Sequence, residues 1–215
     1  LKVCGSGAAP LPVEIMNRFE KLADCRIIEG YGLTETSPTA SSNPAVGLRK
    51  PGSVGVPMPQ TIFEIVDLEN PEKLLSHNEK GEICISGPQV MKGYWKNKEA
   101  TAEAMRGGRF HTGDVGYMDE DGFTFLVDRE KDMILSGGFN VFPRVIEEAI
   151  YEHPSIAEVT VIGIPDDYRG QTAKAFIVLR SGESLTYEEL KSFLAERIGK
   201  HELPSEMEIR NELPK

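Results

Sequence analysis

Apolar positions recur along this chain with two different periods, and the changes of period mark its parts. Leu11, Ile15, Phe19 and Leu22 recur at helical spacing, with Pro10 or Pro12 placed for the first turn. Residues 1–4 before them read as a strand, and Arg26-Ile27-Ile28 after them is a β-branched run of the kind a buried strand uses. Strand, helix and strand in this order predict a β-α-β unit of a parallel sheet over residues 1–50, with both loops at one sheet edge. From Pro38 to Pro59 the periodicity dissolves among Pro, Gly and Ser, which predicts loops. From Ile62 the period shortens. Residues 61–66, 82–86 and 123–127 alternate as strands, Asp119-Glu120-Asp121-Gly122 is a hairpin turn, and 100–105 is a short helix. Residues 51–128 therefore read as a small antiparallel β unit.

Beyond it the two periods interleave. Pro143 opens a helix with Val145, Ile146, Ala149 and Ile150 on one face. Strands at 158–164 and 173–179 are joined by Asp166-Asp167-Tyr168-Arg169-Gly170. Thr186-Tyr187-Glu188-Glu189 has capping-box spacing and opens a helix with Tyr187, Leu190, Leu194 and Ile198 inward. A last strand covers 206–210. From Arg129 the order β-α-β-β-α-β predicts a compact α+β layer over residues 129–215. The fold class is α/β plus α+β: the tail of a large parallel-sheet domain over 1–128, then a small mobile domain. Because that tail lacks further sheet strands, residues 1–50 are expected to expose strand edges and apolar surface, and to be partly disordered, swapped or dimerised in isolation.

Composition adds exclusions. A formal net charge of −10 over 215 residues argues against nucleic acid or an anionic membrane as the main partner. No apolar run approaches the roughly 18 residues of a membrane span. Peripheral membrane contact and a homodimer stay open. Cys4, Cys25 and Cys84 are odd in number, widely spaced and without metal-ligand pattern, which suits reduced thiols in the cytoplasm. The chain opens on Leu1-Lys2-Val3-Cys4 without Met and stops on Leu213-Pro214-Lys215, so a fragment of a longer enzyme is expected.

Candidate chemistry concentrates at Glu29-Gly30-Tyr31-Gly32-Leu33-Thr34-Glu35-Thr36-Ser37. Gly30 and Gly32 allow positive φ and close backbone approach to a ligand. Tyr31 offers a flat face for a ring, Thr34 a hydroxyl for a phosphate oxygen, and Glu35 a carboxylate for a hard cation such as Mg²⁺. The same spacing is also ordinary turn chemistry with a surface Glu. The small-residue loop Gly5-Ser6-Gly7-Ala8-Ala9-Pro10 lets a planar ligand lie against backbone, or simply turns into the helix. Asp114, after Thr112-Gly113, can accept hydrogen bonds from the two hydroxyls of a ribose, or can be a turn Asp. Asp128-Arg129-Glu130-Lys131-Asp132 reads as a solvated linker, and a linker there can act as a hinge.

In their order and spacing these motifs resemble the AMP-forming adenylating enzymes, the superfamily of acyl-CoA synthetases, luciferases and peptide-synthetase adenylation domains. The likeness runs over the whole chain. It rests on the loop at Gly5 to Pro10, Tyr31-Gly32-Leu33-Thr34-Glu35, Gly81-Glu82 with Gly87-Pro88 and Gly93-Tyr94, Thr112-Gly113-Asp114, Asp128-Arg129 with Lys131, and Ser136-Gly137-Gly138. The resemblance implies that the Gly7-Ala8-Ala9 loop and Tyr31 bracket adenine, with Gly30 and Gly32 among the nucleotide-binding residues. It implies that Thr34 meets the α-phosphate, Glu35 holds Mg²⁺, and Asp114 holds the ribose with help from Arg129. Lys131 matches the hinge, and Gly137 and Gly138 match a loop near the coenzyme A tunnel. ATP, a carboxylic acid and coenzyme A are the implied substrates, and the chain looks most like the fatty acyl-CoA synthetases. Two family parts have no match: the triphosphate loop, and the catalytic lysine that follows a Leu-Pro-Lys such as Leu213-Pro214-Lys215. Lys215 is not that lysine, so the chain by itself is expected not to turn over ATP. A ligase for aryl or short-chain acids, or a non-catalytic nucleotide- or coenzyme A-binding module, is the alternative.

Overall fold

A computed structural model of the chain describes residues 2–9 and 11–214. The expected strand start at Leu1, Pro10 in the small-residue loop, and Lys215 lie outside the described residues. The chain forms two compact units, one ending at Val127 and the next starting at Asp128.

In the first unit β1 (Val3–Ser6) pairs in parallel with β2 (Arg26–Gly32), and α1 (Val13–Ala23) crosses between them. The β-α-β unit is therefore present, with shifted edges. Gly5 and Ser6, expected in a loop, extend β1 because they find partners in Ile28 and Glu29. Pro12 stands just before the first helical residue rather than in the first turn. β2 runs on through Gly30 and Gly32, and neither glycine has positive φ. What they supply is close approach. A Cβ on Gly32 would lie 1.7 Å from the Pro38 carbonyl oxygen, and one on Gly30 would lie 3.2 Å from that of Ser41. The neighbour pressing on them is β3 (Thr39–Ser42), which pairs antiparallel with β2 and is followed by β4 (Val56–Pro57). Both strands lie in the stretch expected to be loops. Their short, polar residues carry no strand period, and partners far along the chain extend them.

A second sheet stacks β5 (Ile62–Val66), β6 (Gly81–Ser86), β7 (Phe110–Met118) and β8 (Thr124–Arg129) in chain order. β7 is the strand that alternation did not reveal, so Asp114 stands on a strand rather than in a turn. α2 (Lys98–Ala104) starts from Asn97, whose side chain accepts a hydrogen bond from the Ala100 amide. Tyr31, Ala40, Val54, Phe63, Ile65, Ile83, Ile85 and Phe110 form one core that joins the two sheets. The helix stays outside it. Of α1, Met16 is buried while Ile15, Phe19 and Leu22 are exposed, so the expected apolar surface in the first fifty residues is there.

In the second unit a 3-10 turn (Glu130–Asp132) leads into β9 (Ile134–Ser136) and β10 (Phe139–Val141). Gly137 (φ 59°) and Gly138 (φ 84°) form a two-residue hairpin turn between them, where side chains at positive φ would be strained. Then come α3 (Pro143–Tyr151), β11 (Ile156–Asp166), β12 (Gly170–Leu179), α4 (Tyr187–Leu194) and β13 (Glu206–Ile209). The order is β-β-α-β-β-α-β, one hairpin strand more than expected. β12 pairs antiparallel with β11 and parallel with β13. Its alternate residues Ala173, Ala175 and Ile177 enter a core shared with Ile146, Ile150, Leu190 and Leu194. Pro143 sits in the first turn of α3, and Thr186 and Glu189 close the capping box of α4. Ile198 lies beyond α4 but still packs on the core.

Candidate functional site

Four segments of the first unit converge near the end of β2. The loop after β1 passes against that strand: a Cβ on Gly7 would lie 3.1 Å from the Gly30 carbonyl oxygen. Ala8 takes a left-handed backbone (φ 67°), and Gly7, Ala8 and Ala9 are all exposed. Past Gly32 the chain tightens into a 3-10 turn (Thr34–Thr36). The turn is tied by Thr36, a fully buried residue of the same motif with no role legible from its type and spacing. Its hydroxyl accepts from the Leu33 amide at 2.9 Å and donates to the Pro38 carbonyl at 2.6 Å. Thr34 is left exposed and Glu35 half-buried at the rim.

Two long-range hydrogen bonds complete the arrangement. The Tyr31 hydroxyl donates to Asp114 Oδ2 at 2.6 Å across 83 residues of sequence, with Tyr31 9% and Asp114 7% exposed. The Tyr31 ring meets Phe63 edge to face at 6.2 Å, so its hydroxyl is fixed from both ends. Tyr94 donates to Glu35 Oε1 at 2.9 Å, and burial together with that carboxylate raises the Tyr94 phenol above its ordinary value. The Met91 amide donates to the Glu35 carbonyl at 2.7 Å. Tyr94 and Met91 lie in the Gly87-to-Trp95 stretch, where Gly87-Pro88 and Gly93-Tyr94 carried the resemblance but gave neither residue a role.

Glu82, Cys84 and His111 also bring their donor atoms within 4.8 Å of one another in the interior. Hydrogen bonds fill this cluster. His111 Nδ1 is 2.7 Å from Glu82 Oε2, and burial pushes the Cys84 thiol up to about 12, far from the thiolate a metal needs.

The remaining predicted residues belong to the second unit or its border. Arg129 ends β8, Lys131 is exposed in the 3-10 turn, and Gly137 and Gly138 form the β9–β10 turn, where the Gly137 amide donates to the Arg169 carbonyl at 2.8 Å. The charge run is not wholly a solvated face. Asp128 Oδ1 accepts from the Arg129 amide at 2.8 Å and Oδ2 from the Arg144 amide at 2.9 Å, capping α3, and burial raises its carboxyl above the ordinary range.

The AMP-binding enzyme family matches residues 1–95, and the AMP-binding enzyme C-terminal domain matches residues 145–215. The chain belongs to the AMP-binding enzymes. Among relatives of this AMP-binding enzyme chain, the long-chain-fatty-acid–CoA ligase of Bacillus subtilis is 49% identical over all 215 residues. The feruloyl-CoA synthase of an Amycolatopsis species is 40% identical over 97% of the chain. The crystal structure of ATP-bound MatB from Rhodopseudomonas palustris superposes on 98% of the chain at 34% identity, with a TM-score of 0.93. The chain spans 38% of the length of the B. subtilis relative, 42% of the Amycolatopsis relative and 42% of the MatB chain. Among the described residues no helix is long and apolar enough to cross a membrane.

Proposed function

We propose that this chain is the adenylate-binding and C-terminal part of an AMP-forming ligase that activates a fatty acid with ATP and transfers the acyl group to coenzyme A. The observation that carries this is the buried Tyr31–Asp114 hydrogen bond beside the exposed Thr34 and rim Glu35, with the Gly7 loop lying on Gly30. One place thus offers backbone and small residues for a base (Gly7, Ala8, Ala9, Gly30, Tyr31, Gly32), a carboxylate for a ribose, a hydroxyl for a phosphate and a carboxylate for a cation.

In this reading Asp114 accepts from the ribose hydroxyls, and Arg129 assists. Tyr31 holds Asp114 at its distance. Thr34 donates to an α-phosphate oxygen. A single half-buried carboxylate that shares only one oxygen with Tyr94 suits Mg²⁺, which keeps most of its shell for water and phosphate, so Glu35 is its ligand. Bound there, Mg²⁺ offsets negative charge on the phosphates. In the first half-reaction a carboxylate oxygen of the acid bonds to the α-phosphorus and the bond to the β-phosphate oxygen breaks, releasing pyrophosphate. In the second, the thiol sulfur of coenzyme A bonds to the acyl carbon, AMP leaves with the electron pair of the C–O bond, and the thiol proton goes to solvent. Residues 1–128 form the end of the large domain and 129–215 the small domain, which turns at Lys131 between the two steps. Gly137 and Gly138 line the coenzyme A approach. Three free cysteines, Cys4, Cys25 and Cys84, suit work in the reducing cytoplasm.

The feruloyl-CoA synthase relative supports a second reading in which the acid is aromatic. Pyrophosphate release, measured on the protein that carries this chain with the upstream sequence its relatives have, separates the readings. Medium- or long-chain fatty acids driving release with consumption of coenzyme A is the expected result. Release with cinnamate-type acids alone selects the aryl ligase, and no release with any acid refutes the ligase. The 215-residue chain on its own is expected to form no AMP and pyrophosphate from ATP.

A further inference from the structure

Opposite the first half of β6, β7 carries extra residues. Glu82 pairs with Val115 and Cys84 with His111, so Thr112, Gly113 and Asp114 together face the single residue Ile83. Such a bulge bends the strand and leaves backbone groups without ladder partners. Here side chains take their place. The Thr112 hydroxyl donates to the Ile83 carbonyl at 2.7 Å and accepts from the Asp114 amide at 3.0 Å. The Gly113 amide donates to Glu82 Oε1 at 3.0 Å, and the other oxygen of the same carboxylate meets His111 Nδ1 at 2.7 Å. Gly113 itself is left-handed (φ 70°) with open space where a Cβ would stand.

Glu82 is a buried carboxylate, 4% exposed, with the Arg106 guanidinium 3.8 Å away. Burying it is costly unless its oxygens are engaged. Both are engaged on the two residues that flank Thr112, the start of the bulge and its turning point. Asp114, the last residue of the bulge, meets the Tyr31 hydroxyl. The contacts of Glu82 are thus with His111, Gly113 and Arg106, inside and beside the sheet.

We infer that Glu82 is a positioning residue for ribose recognition: its carboxylate clamps His111 and Gly113, holds the β7 bulge open, and so fixes the carboxylate of Asp114. This rests on the reading of Asp114 as the ribose acceptor. Substituting Gln keeps an acceptor for Gly113, and His111 can switch tautomer to accept from the new amide. Substituting Ala leaves the Gly113 amide and the imidazole without this partner in the interior.

The test compares AMP with 2′,3′-dideoxy-AMP on the 215-residue chain by NMR titration, and follows hydrogen exchange of the Gly113 amide. Glu82→Ala is expected to expose the Gly113 amide and to cut the preference for AMP over the dideoxy nucleotide about tenfold, as for one lost hydrogen bond to a charged group. Binding of the dideoxy nucleotide stays unchanged. Glu82→Gln restores protection and most of the preference. Gly113→Ala, which strains the same backbone without touching Glu82, is expected to lose the preference too, and decides the matter if Glu82→Ala does not fold. The inference is overturned if Glu82→Ala, or Gly113→Ala in its stead, keeps the preference or weakens both nucleotides equally. Asp114→Ala separates the two levels. Should it abolish the preference while Glu82→Ala does not, the clamp alone is wrong. Should it also leave the preference intact, or should the wild-type chain show none, the ribose reading falls and takes the clamp with it.

Discussion

α1 and α3 are both amphipathic, and they meet opposite fates. α3 buries Ile146, Ala149 and Ile150 against a core that also holds β11, β12 and α4. α1 buries Met16 and leaves Ile15, Phe19 and Leu22 at the surface, Leu22 being 79% exposed. The helical period is equally clear in the two sequences. Period shows which face of a helix can be covered, and the neighbours decide whether it is. The second unit covers the apolar faces of its two helices with its own strands, although Leu135 and Phe139 of its hairpin stay exposed. The first organises its core between two sheets around Tyr31, Phe63 and Ile83, and holds α1 to the sheet by other means. Glu20 accepts from the Ile27 amide at 2.6 Å and pairs with Arg49, which also donates to the Ile27 carbonyl at 2.6 Å.

The contrast can be broken most sharply in the cores. Ile177→Ala removes a fully buried side chain in the second unit, and a loss of about 2–5 kcal/mol of that unit's stability is expected. Leu22→Ala in the exposed face of α1 is expected to change stability by no more than about 0.5 kcal/mol. Denaturant unfolding with peptide-resolved hydrogen exchange reads both, and equal losses would mean that α1 is covered in solution.

Asp114→Ala comes next. It takes the acceptor from the Tyr31 hydroxyl in the interior of the first unit and is expected to cost about 1–3 kcal/mol there, leaving the second unit unaffected. Unchanged stability of the first unit would show that Tyr31 finds another acceptor.

Acid and base then act in opposite directions through two carboxyls, Glu20 of the first unit and Glu147 of the second. The Arg49 hydrogen bond holds the Glu20 carboxyl below its ordinary 4.5, so its stabilisation is complete above that value and is lost as pH falls through the depressed one. Burial raises the Glu147 carboxyl above 4.5, helped by the nearby Asp128 charge. Its contribution is complete below 4.5 and is lost as pH rises through the raised value. The melting temperature of the second unit is therefore expected to fall as pH rises past 4.5 and through the raised value, in part through Glu147. Glu147→Gln should flatten that fall while keeping an acceptor for the Val161 amide. Glu20→Gln should instead blunt the acid sensitivity of the first unit. A second unit whose melting stays as pH-dependent after Glu147→Gln as before it would contradict the assignment.

The smallest effect concerns an element end. Thr186→Ala opens the α4 capping box, in which Glu189 Oε2 accepts from the Thr186 amide at 2.8 Å. About 1 kcal/mol should be lost from the second unit, read as a lower denaturation midpoint at unchanged slope.

Legibility followed the range of the interaction. Pro143 in the first turn of α3, the Thr186–Glu189 box and the strand over 173–179 are local signals, and the structure has them where the sequence put them. β3 and β7 were not legible. Thr39–Ser42 holds no apolar alternation and is a strand because β2 offers it partners. The bulge in β7 breaks the period of two on which a strand is recognised. Glu82 and Thr36 stood inside motifs without a role of their own, because a buried polar residue looks like a surface one until its partners are known.

The sequence by itself determined the candidate residues, the starts of α3 and α4 and the family, since these depend on residue type and short spacing. Only the tertiary structure decided that Gly30 and Gly32 serve close packing rather than positive φ, that Tyr31 reaches Asp114, and that Glu82 stands under the bulge. The physical reason is register. Pairing of β6 with β7 and of β2 with β3 places side chains from distant segments within hydrogen-bond distance, and no local period encodes which residues will face each other.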